Sequence, residues 1–295
     1  MVKIKNSKKF SLFSLKSITI TCKAFSLIEL SIVLIIIGTV FLFSMQGSKL
    51  IGTAKNQKAN NLTNEFIKYY KEKVVALYEG SYKSSITVDS TQAVSSWKNL
   101  VDLQKSSAGS LTPAFSENKP TYLYNQIGDS LSSAINFAGN NALRVVPTNN
   151  SRDFAVGNLF VVIMPDTSIT SEMAILDSES SANRSYLGIL GNSIKVNFGS
   201  AYTVSDSDIV FKKNVFSIIN LEFNGSESYI FFNELANKFS ISIGSNTING
   251  LQIGSKANET MEFTGNIAEI IIFDSILLSK DREIVFNYLT KKYNI

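Results

Sequence analysis

The most apolar part of the chain lies close to its N-terminus. Residues 25–45 form a run of 21 positions with a single charged side chain, Glu29. As a helix with a rise of ~1.5 Å per residue, this run would measure roughly 31 Å, which matches the hydrocarbon thickness of a bilayer. The pattern therefore predicts a transmembrane helix over residues 25–45.

A mixed pattern of apolar and polar residues follows this run without a break. Apolar side chains recur at intervals of three and four positions, with lysines and glutamates between them, at Leu62, Phe66, Tyr70, Val74 and Leu77. This spacing is typical of a helix that lies along a packed surface. We therefore expect an amphipathic continuation of the helix over residues 46–80, with Gly80 as its stop.

Beyond Gly80 the chain changes character. Residues 81–110 are rich in Ser, Thr and Asn and are predicted to connect the helix to a second domain. From residue 111 to residue 295, short runs of Val, Ile, Phe and Tyr are separated by Gly, Asn, Ser and Asp, which indicates antiparallel strands. The predicted strands are 159–164, 186–190, 194–198, 215–223, 229–233 and 267–273. The dipeptides Gly191-Asn192 and Asn224-Gly225 supply turns between neighbouring runs, so the pattern predicts an all-β sandwich.

The last residues predict one short helix. Ser279 has the side chain of an N-cap, and Val285, Tyr288 and Leu289 share one face. The predicted fold class is therefore α+β, with a long N-terminal helix, a β-sandwich and a short C-terminal helix.

Composition excludes much of enzyme chemistry. The chain contains no histidine, and its single cysteine is Cys22. A disulfide within the chain, a zinc site with histidine ligands and a Ser-His or Cys-His catalytic pair are therefore impossible. We expect no cofactor and no enzymatic activity.

The positive charge is confined to the N-terminal tip. The net charge is +4, but residues 1–24 contain six lysines and no acidic residue, and the rest of the chain has 22 basic against 24 acidic residues. A basic flank beside an apolar run indicates a cytoplasmic N-terminus next to a membrane, whereas a nucleic-acid-binding protein would carry a basic face. Nucleic acid is therefore not an expected partner.

An acidic residue stands one turn inside the predicted membrane segment. A carboxylate at the bilayer centre costs about 2.5–3.5 kcal/mol on insertion scales and less near the interface, so Glu29 requires a partner. If the chain were cut after Ala24, the new amine of Phe25 would stand four residues before Glu29. The carboxylate of one subunit would then be able to pair with the amine of another.

These residues resemble the processing motif of the type IV prepilin and pseudopilin family. In that family a small residue, most often glycine, precedes the cut, phenylalanine follows it, and glutamate is the fifth residue of the mature chain. The resemblance implies a basic leader over residues 1–24, cleavage and N-methylation at Ala24 and Phe25 by a prepilin peptidase, and an assembly contact at Glu29. It also implies other pilin subunits as partners.

The resemblance further implies a location and a role. The protein would first cross the inner membrane once, with a cytoplasmic N-terminus, and then enter a periplasmic pseudopilus or a cell-surface pilus. The size of the exposed domain, which is bulky for a densely packed filament, favours a minor subunit. Two alternatives are an ordinary signal anchor and a signal-peptidase substrate with small residues at Gly52-Thr53-Ala54. A membrane-tethered carbohydrate- or protein-binding module that does not polymerise is the alternative function.

The C-terminal half resembles laminin G-like, concanavalin A-like jelly-roll domains. Residues 263–274 resemble their final long strand, and residues 278–293 resemble their closing helix. The resemblance implies a lectin-like domain for adhesion or substrate capture, with a glycan or a surface protein as ligand. Four aromatic residues are candidates for stacking on sugar rings or, more commonly, for buried anchors: Trp97, Tyr122, Tyr124 and Tyr202.

No catalytic or metal site is predicted. Retaining glucanases on this fold place carboxylates on alternate residues of one strand, whereas Glu222, Glu234 and Glu269 are isolated in the sequence. Asp206 and Asp208 offer oxygen atoms that a calcium ion accepts, but two carboxylates in a polar loop are more typical of a solvated turn.

Overall fold

A computed structural model gives the structure of most of the chain. The described residues are 26–101, 109–127, 132–145, 156–166, 168–178, 184–244, 246–248, 250–258 and 260–295. The chain divides into two compact units, Met1–Ser48 and Lys49–Ile295. The predicted leader and both predicted cleavage residues, Ala24 and Phe25, lie outside the described residues.

The helices and strands follow each other in the order predicted for an α+β chain. The helices are α1 (Leu27–Tyr70) and α2 (Ser279–Tyr293), and 3₁₀ turns occupy Lys83–Ser85 and Gly225–Glu227. Within the described residues, a first sheet contains eight antiparallel strands. They are β1 (Val74–Glu79), β5 (Thr121–Ile127), β6 (Ser132–Ala138), β8 (Asn158–Pro165), β13 (Ser217–Glu222), β14 (Ser228–Phe232), β15 (Glu234–Ile241) and β17 (Thr264–Phe273).

A second sheet contains seven strands in the described part of the chain, and a hairpin contains two more. The seven are β4 (Thr112–Pro113), β7 (Leu143–Val145), β9 (Met173–Asp177), β10 (Ser185–Leu190), β11 (Ser193–Phe198), β12 (Ala201–Ser205) and β16 (Leu251–Ile253); the hairpin is β2 (Ile86–Val88) and β3 (Val94–Trp97). The six strands predicted from the sequence all exist, and Gly191, with φ of +57°, turns the chain between β10 and β11 as predicted. The predicted β-sandwich is confirmed.

The central strands of the first sheet are buried on both faces. Its central strand β17 pairs with β8 along one edge and with β6 and then β1 along the other. Ile270 and Ile272 of this strand lie in the core between the two sheets, whereas Ile271 and Phe273 lie in a second core against α2 and the last turns of α1. The Lys49–Ile295 unit therefore has three layers, made of helices, the first sheet and the second sheet.

The predicted helix end at Gly80 is wrong. Helix α1 ends at Tyr70, and residues 74–79 form β1, in which every side chain is buried. Val74 and Leu77 fit a helical spacing, but a short apolar run has no periodicity that separates helix from strand. Pairing with β17 makes residues 74–79 a strand. The sandwich therefore begins at residue 74 and not at residue 111.

The C-terminal helix is confirmed, but its predicted cap is wrong. Val285, Tyr288 and Leu289 are buried as predicted. Ser279 is the first helical residue, and the cap position is occupied by Leu278, which makes no side-chain hydrogen bond to the helix. At the other end Asn294 adopts the left-handed conformation that commonly terminates a helix.

The N-terminal part of α1 has exposed apolar side chains. Leu27 is 85% exposed and Ile35 is 65% exposed. Among the residues whose side chains are described, no helix is both long enough and apolar enough to span a membrane.

Candidate functional site

Glu29, the predicted assembly residue, forms a capping box at the start of α1. The Ser26 amide donates a hydrogen bond to Glu29 Oε2 at 2.8 Å, and the Glu29 amide donates one to Ser26 Oγ at 3.2 Å. This reciprocal pair satisfies two amides that a helix N-terminus otherwise leaves unpaired. The motif Ser-x-x-Glu was visible in the sequence, and the carboxylate therefore has a local role besides the predicted contact with another subunit.

A basic cavity lies between α1, α2 and the start of β6. Its volume is about 300 Å³, which is at the lower end of the range of ligand pockets, roughly 300–1,000 Å³. We call it the basic cavity. The lining residues are Lys55, Asn56, Lys58, Ala59, Leu62, Ser81, Ser132, Ser133, Lys291, Lys292, Tyr293 and Asn294.

The positive charge of the basic cavity comes from two helices. Lys55 and Lys58 lie one turn apart on α1, and Lys291 and Lys292 lie in the last turn of α2, where the helix dipole favours cations. Lys58 and Lys291 form no hydrogen bond or ion pair with any described residue, and both are exposed. No Asp or Glu is among the described residues that line the cavity.

Beneath the cavity, Lys292 belongs to a buried ionic cluster. Its Nζ atom lies 2.9 Å from Glu79 Oε1 and 2.7 Å from Glu269 Oε2, and its side chain is only 1% exposed. Nζ also donates to Thr63 Oγ1 at 2.8 Å, and the Tyr288 hydroxyl donates to Glu269 Oε1 at 2.7 Å. The cluster joins α1, α2 and two strands of the first sheet.

The sequence-based description of Glu269 as isolated is wrong. Glu79 on β1 stands directly opposite Glu269 on β17, and both carboxylates are fully buried. The pair was hidden because 190 positions separate the two residues and because β1 was expected to be helical. Since neither carboxylate reaches solvent, the pair cannot contact a sugar, and its role is structural.

Burial controls protonation in this cluster. Loss of solvent raises the pKa of Glu269, and the negative charge of Glu79 raises it further, whereas Lys292 opposes both effects. Burial also raises the pKa values of the Tyr288 and Tyr293 hydroxyls well above the ordinary pKa of tyrosine. Glu79 Oε2 has no hydrogen-bond partner among the described residues. Two carboxylates therefore share one lysine.

This arrangement predicts a pH dependence of stability. Because the pKa of Glu269 is higher in the folded than in the unfolded protein, its contribution to stability is complete below the ordinary carboxyl pKa and is lost as the pH rises through the raised value. We expect the free energy of unfolding of the wild type, minus that of Glu269→Gln, to fall as the pH rises above the ordinary carboxyl pKa of about 4. Urea unfolding at several pH values measures this difference, and a difference that rises with pH would contradict the prediction.

A second charged cluster lies on the outer face of the second sheet. Glu172 accepts hydrogen bonds from Lys195 at 2.6 Å and from the Tyr186 hydroxyl at 2.8 Å, and Lys256 Nζ lies 3.7 Å away. Burial raises the pKa of Glu172, but the bonds from Lys195 and Tyr186 outweigh it and leave the pKa below its ordinary value. The Tyr186 ring lies over Gly188, where a Cβ atom would be 2.0 Å from the hydroxyl. The polar groups in this cluster are paired with each other.

Two of the four candidate sugar-stacking residues, Trp97 and Tyr122, are buried anchors. Trp97 is fully buried and donates to the Glu79 carbonyl, and Tyr122 is buried and donates to the Gly80 carbonyl. Tyr124 is half-buried, and its hydroxyl accepts a hydrogen bond from Asn56 of the basic cavity at 2.7 Å. Tyr202, at the sheet edge, is 38% exposed.

The remaining carboxylates do not assemble into a site. Asp206 and Asp208 lie in an exposed turn, in which the Asp208 amide donates to Asp206 Oδ1. Glu222 forms a buried ion pair with Arg282, and Glu234 is exposed at the start of β15. In the ranges that the structure describes, no three His, Cys, Asp or Glu residues come together as metal ligands.

Comparison with known proteins identifies the fold and no family. No protein-family model and no curated protein matches the chain. The receptor-binding domain of a botulinum neurotoxin mosaic of serotypes C and D is similar, with a TM-score of 0.51 and 13% identity over 74% of this chain and 51% of that one. A GH54 α-L-arabinofuranosidase is similar with a TM-score of 0.51 and 10% identity, over 77% of this chain and 64% of that one.

A third similar structure is a smaller domain. Domain 4 of a GH43 extracellular arabinanase from Geobacillus stearothermophilus, in complex with arabinotriose, has a TM-score of 0.47 and 12% identity over 75% of this chain and 98% of that one. The chain spans about half the length of the neurotoxin domain. At such identities the likenesses show the fold alone, which is a β-sandwich.

Proposed function

We propose that the sandwich is a non-enzymatic, glycan-binding module. The observation that carries the proposal is the basic cavity, because it is a concave site lined by amines, amides and hydroxyls beside a lectin-like sandwich. Sugars offer many oxygen atoms to such donors. The outer face of the second sheet is a weaker candidate, because the polar groups of its cluster around Glu172 bind each other.

A similar structure is consistent with this proposal. The neurotoxin domain is described as receptor-binding. One of the similar folds belongs to a glycosidase. In this chain, however, the buried carboxylate pair of Glu79 and Glu269 is closed to solvent, so binding without hydrolysis is the proposed activity.

A substitution that fills the basic cavity tests this function. Ala59 lies on α1 and lines the cavity, so a tryptophan there would occupy the space of a ligand. We expect Ala59→Trp to lose at least about tenfold in affinity for the glycans that the wild type retains on an array, because a ligand would have to displace the indole.

The matched control places the same side chain on the exposed surface of α1. Asn61 is exposed and does not line the cavity, so Asn61→Trp should bind like the wild type. Equal binding by Ala59→Trp and Asn61→Trp, with both variants folded, would refute the proposed site.

A second candidate function is that of a minor pilin or pseudopilin subunit that displays the sandwich on a filament. The sequence from Ala24 to Glu29 and the apolar run over residues 25–45 favour it. In this proposal the run crosses the inner membrane once, a prepilin peptidase cleaves before Phe25, and other pilin subunits contact Glu29. The filament would be a periplasmic pseudopilus or a cell-surface pilus.

N-terminal sequencing by mass spectrometry separates this candidate from a plain membrane anchor. An N-methylated Phe25 at the start of the mature chain is expected for a pilin-like subunit. An intact leader, or a cut near Ala54, would contradict it and would leave a tethered glycan-binding module that does not polymerise.

A further inference from the structure

The lysines of the basic cavity indicate which class of glycan the cavity would bind. We propose that the basic cavity binds an acidic sugar residue, in which a carboxylate or a sulfate group lies between Lys58 of α1 and Lys291 of α2. This inference rests on the proposed glycan-binding function and specifies its ligand.

Charge is the first reason. Every charged side chain among the described lining residues is a lysine. Lys292 is neutralised beneath the cavity by Glu79 and Glu269, and Lys55 has an interaction of its own. The positive charges left for a ligand are those of Lys58 and Lys291, which are exposed and have no partner among the described residues.

The position of the two lysines is the second reason. They stand on different helices at the same cavity, and both helices are fixed to the first sheet through the core that includes Phe66 and Leu289. Two like charges that line one concave space repel each other, and an anion bound between them would offset that repulsion. An acidic group on a sugar supplies that anion, while its hydroxyls meet the amides and hydroxyls of the lining.

Two kinds of acidic group on a sugar would fit the lysines of the cavity. The ammonium group of lysine acts as a compact point charge. The planar guanidinium of arginine, by contrast, matches the paired oxygens of a carboxylate or phosphate. Carboxylated and sulfated sugars therefore share the recognition proposed here, and the test must separate them.

Calorimetry on the full chain in detergent provides the test. The probes are trigalacturonate, which carries carboxylates, a sulfated galactan trisaccharide, and neutral galactotriose. We expect at least one acidic probe to bind more tightly than galactotriose, and we expect its affinity to fall as salt is added because screening weakens charge interactions. The acidic probe that binds identifies the source of charge.

Charge-reversal variants locate the binding. Lys58→Glu and Lys291→Glu should each weaken binding of the acidic probe by at least about tenfold, the scale of one lost charge contact at a partly screened site. Lys58→Arg should retain it, because the charge is kept. Lys280→Glu, on an exposed part of α2 outside the cavity, makes the same charge change and should bind like the wild type.

Each alternative result has a definite meaning. If galactotriose binds as tightly as the acidic probes, or if Lys280→Glu weakens acidic binding as much as Lys58→Glu does, the inference is overturned and glycan binding still stands. If no probe binds and no glycan on an array is retained, the inference and the proposed function fail together.

Discussion

We expect Lys292→Met to lower the free energy of unfolding at neutral pH by about 3–5 kcal/mol, the cost of leaving a buried charge without its partner. The substitution removes the one cation within hydrogen-bond distance of both Glu79 and Glu269 in the described structure, and these carboxylates are directly opposed and fully buried. Methionine has a similar length and keeps the packing of the side chain. The loss is therefore expected to be electrostatic.

Chemical denaturation of the variant and of a neighbouring control measures this effect. Lys291→Met removes the adjacent, exposed lysine and should change the free energy of unfolding by no more than about 0.5 kcal/mol. Adding Glu269→Gln to Lys292→Met should restore part of the stability, because only one buried carboxylate then remains. Equal stabilities for Lys292→Met and Lys291→Met would show that the ionic cluster does not hold the layers together.

Phe273→Ala is the second substitution that we expect to lower the free energy of unfolding strongly. The side chain is fully buried at the end of β17, with ring contacts to Phe66 and Tyr70 of α1 and to Phe160 of β8. Its removal leaves a cavity at the point where the helix layer meets the sheet. We expect a loss of about 3–5 kcal/mol in the free energy of unfolding.

Tyr69→Ala is the control for this substitution. Tyr69 precedes Tyr70 on α1 but is 72% exposed, so its loss should cost much less. If Phe273→Ala is no less stable than Tyr69→Ala, the last turns of α1 do not pack on the sheet as described. Urea unfolding of the two variants under the same conditions provides the comparison.

The strands were the most predictable part of the molecule. The run at 267–273 was predicted as a strand and lies within β17, because a sequence of β-branched residues buried on both faces has few other solutions. The same reasoning failed for β1. There the local spacing of Val74 and Leu77 fits a helix, and only the distant partner β17 makes the segment a strand.

The basic cavity could not be predicted from sequence. Lys58 and Lys291 are 233 positions apart in the sequence. They line one cavity only because α1 and α2 pack against the same face of the first sheet. The buried partnership of Glu79, Glu269 and Lys292 depends on the same packing. The Ser26–Glu29 capping box, by contrast, is local and has a sequence signature.

The most direct test of a glycan-binding sandwich is a structure of the full chain with the glycan that binds it most tightly. We predict that the sugar occupies the basic cavity, with an acidic group between the ammonium groups of Lys58 and Lys291. A sugar bound instead on the outer face of the second sheet, beside Tyr186 and Lys195, would contradict this account.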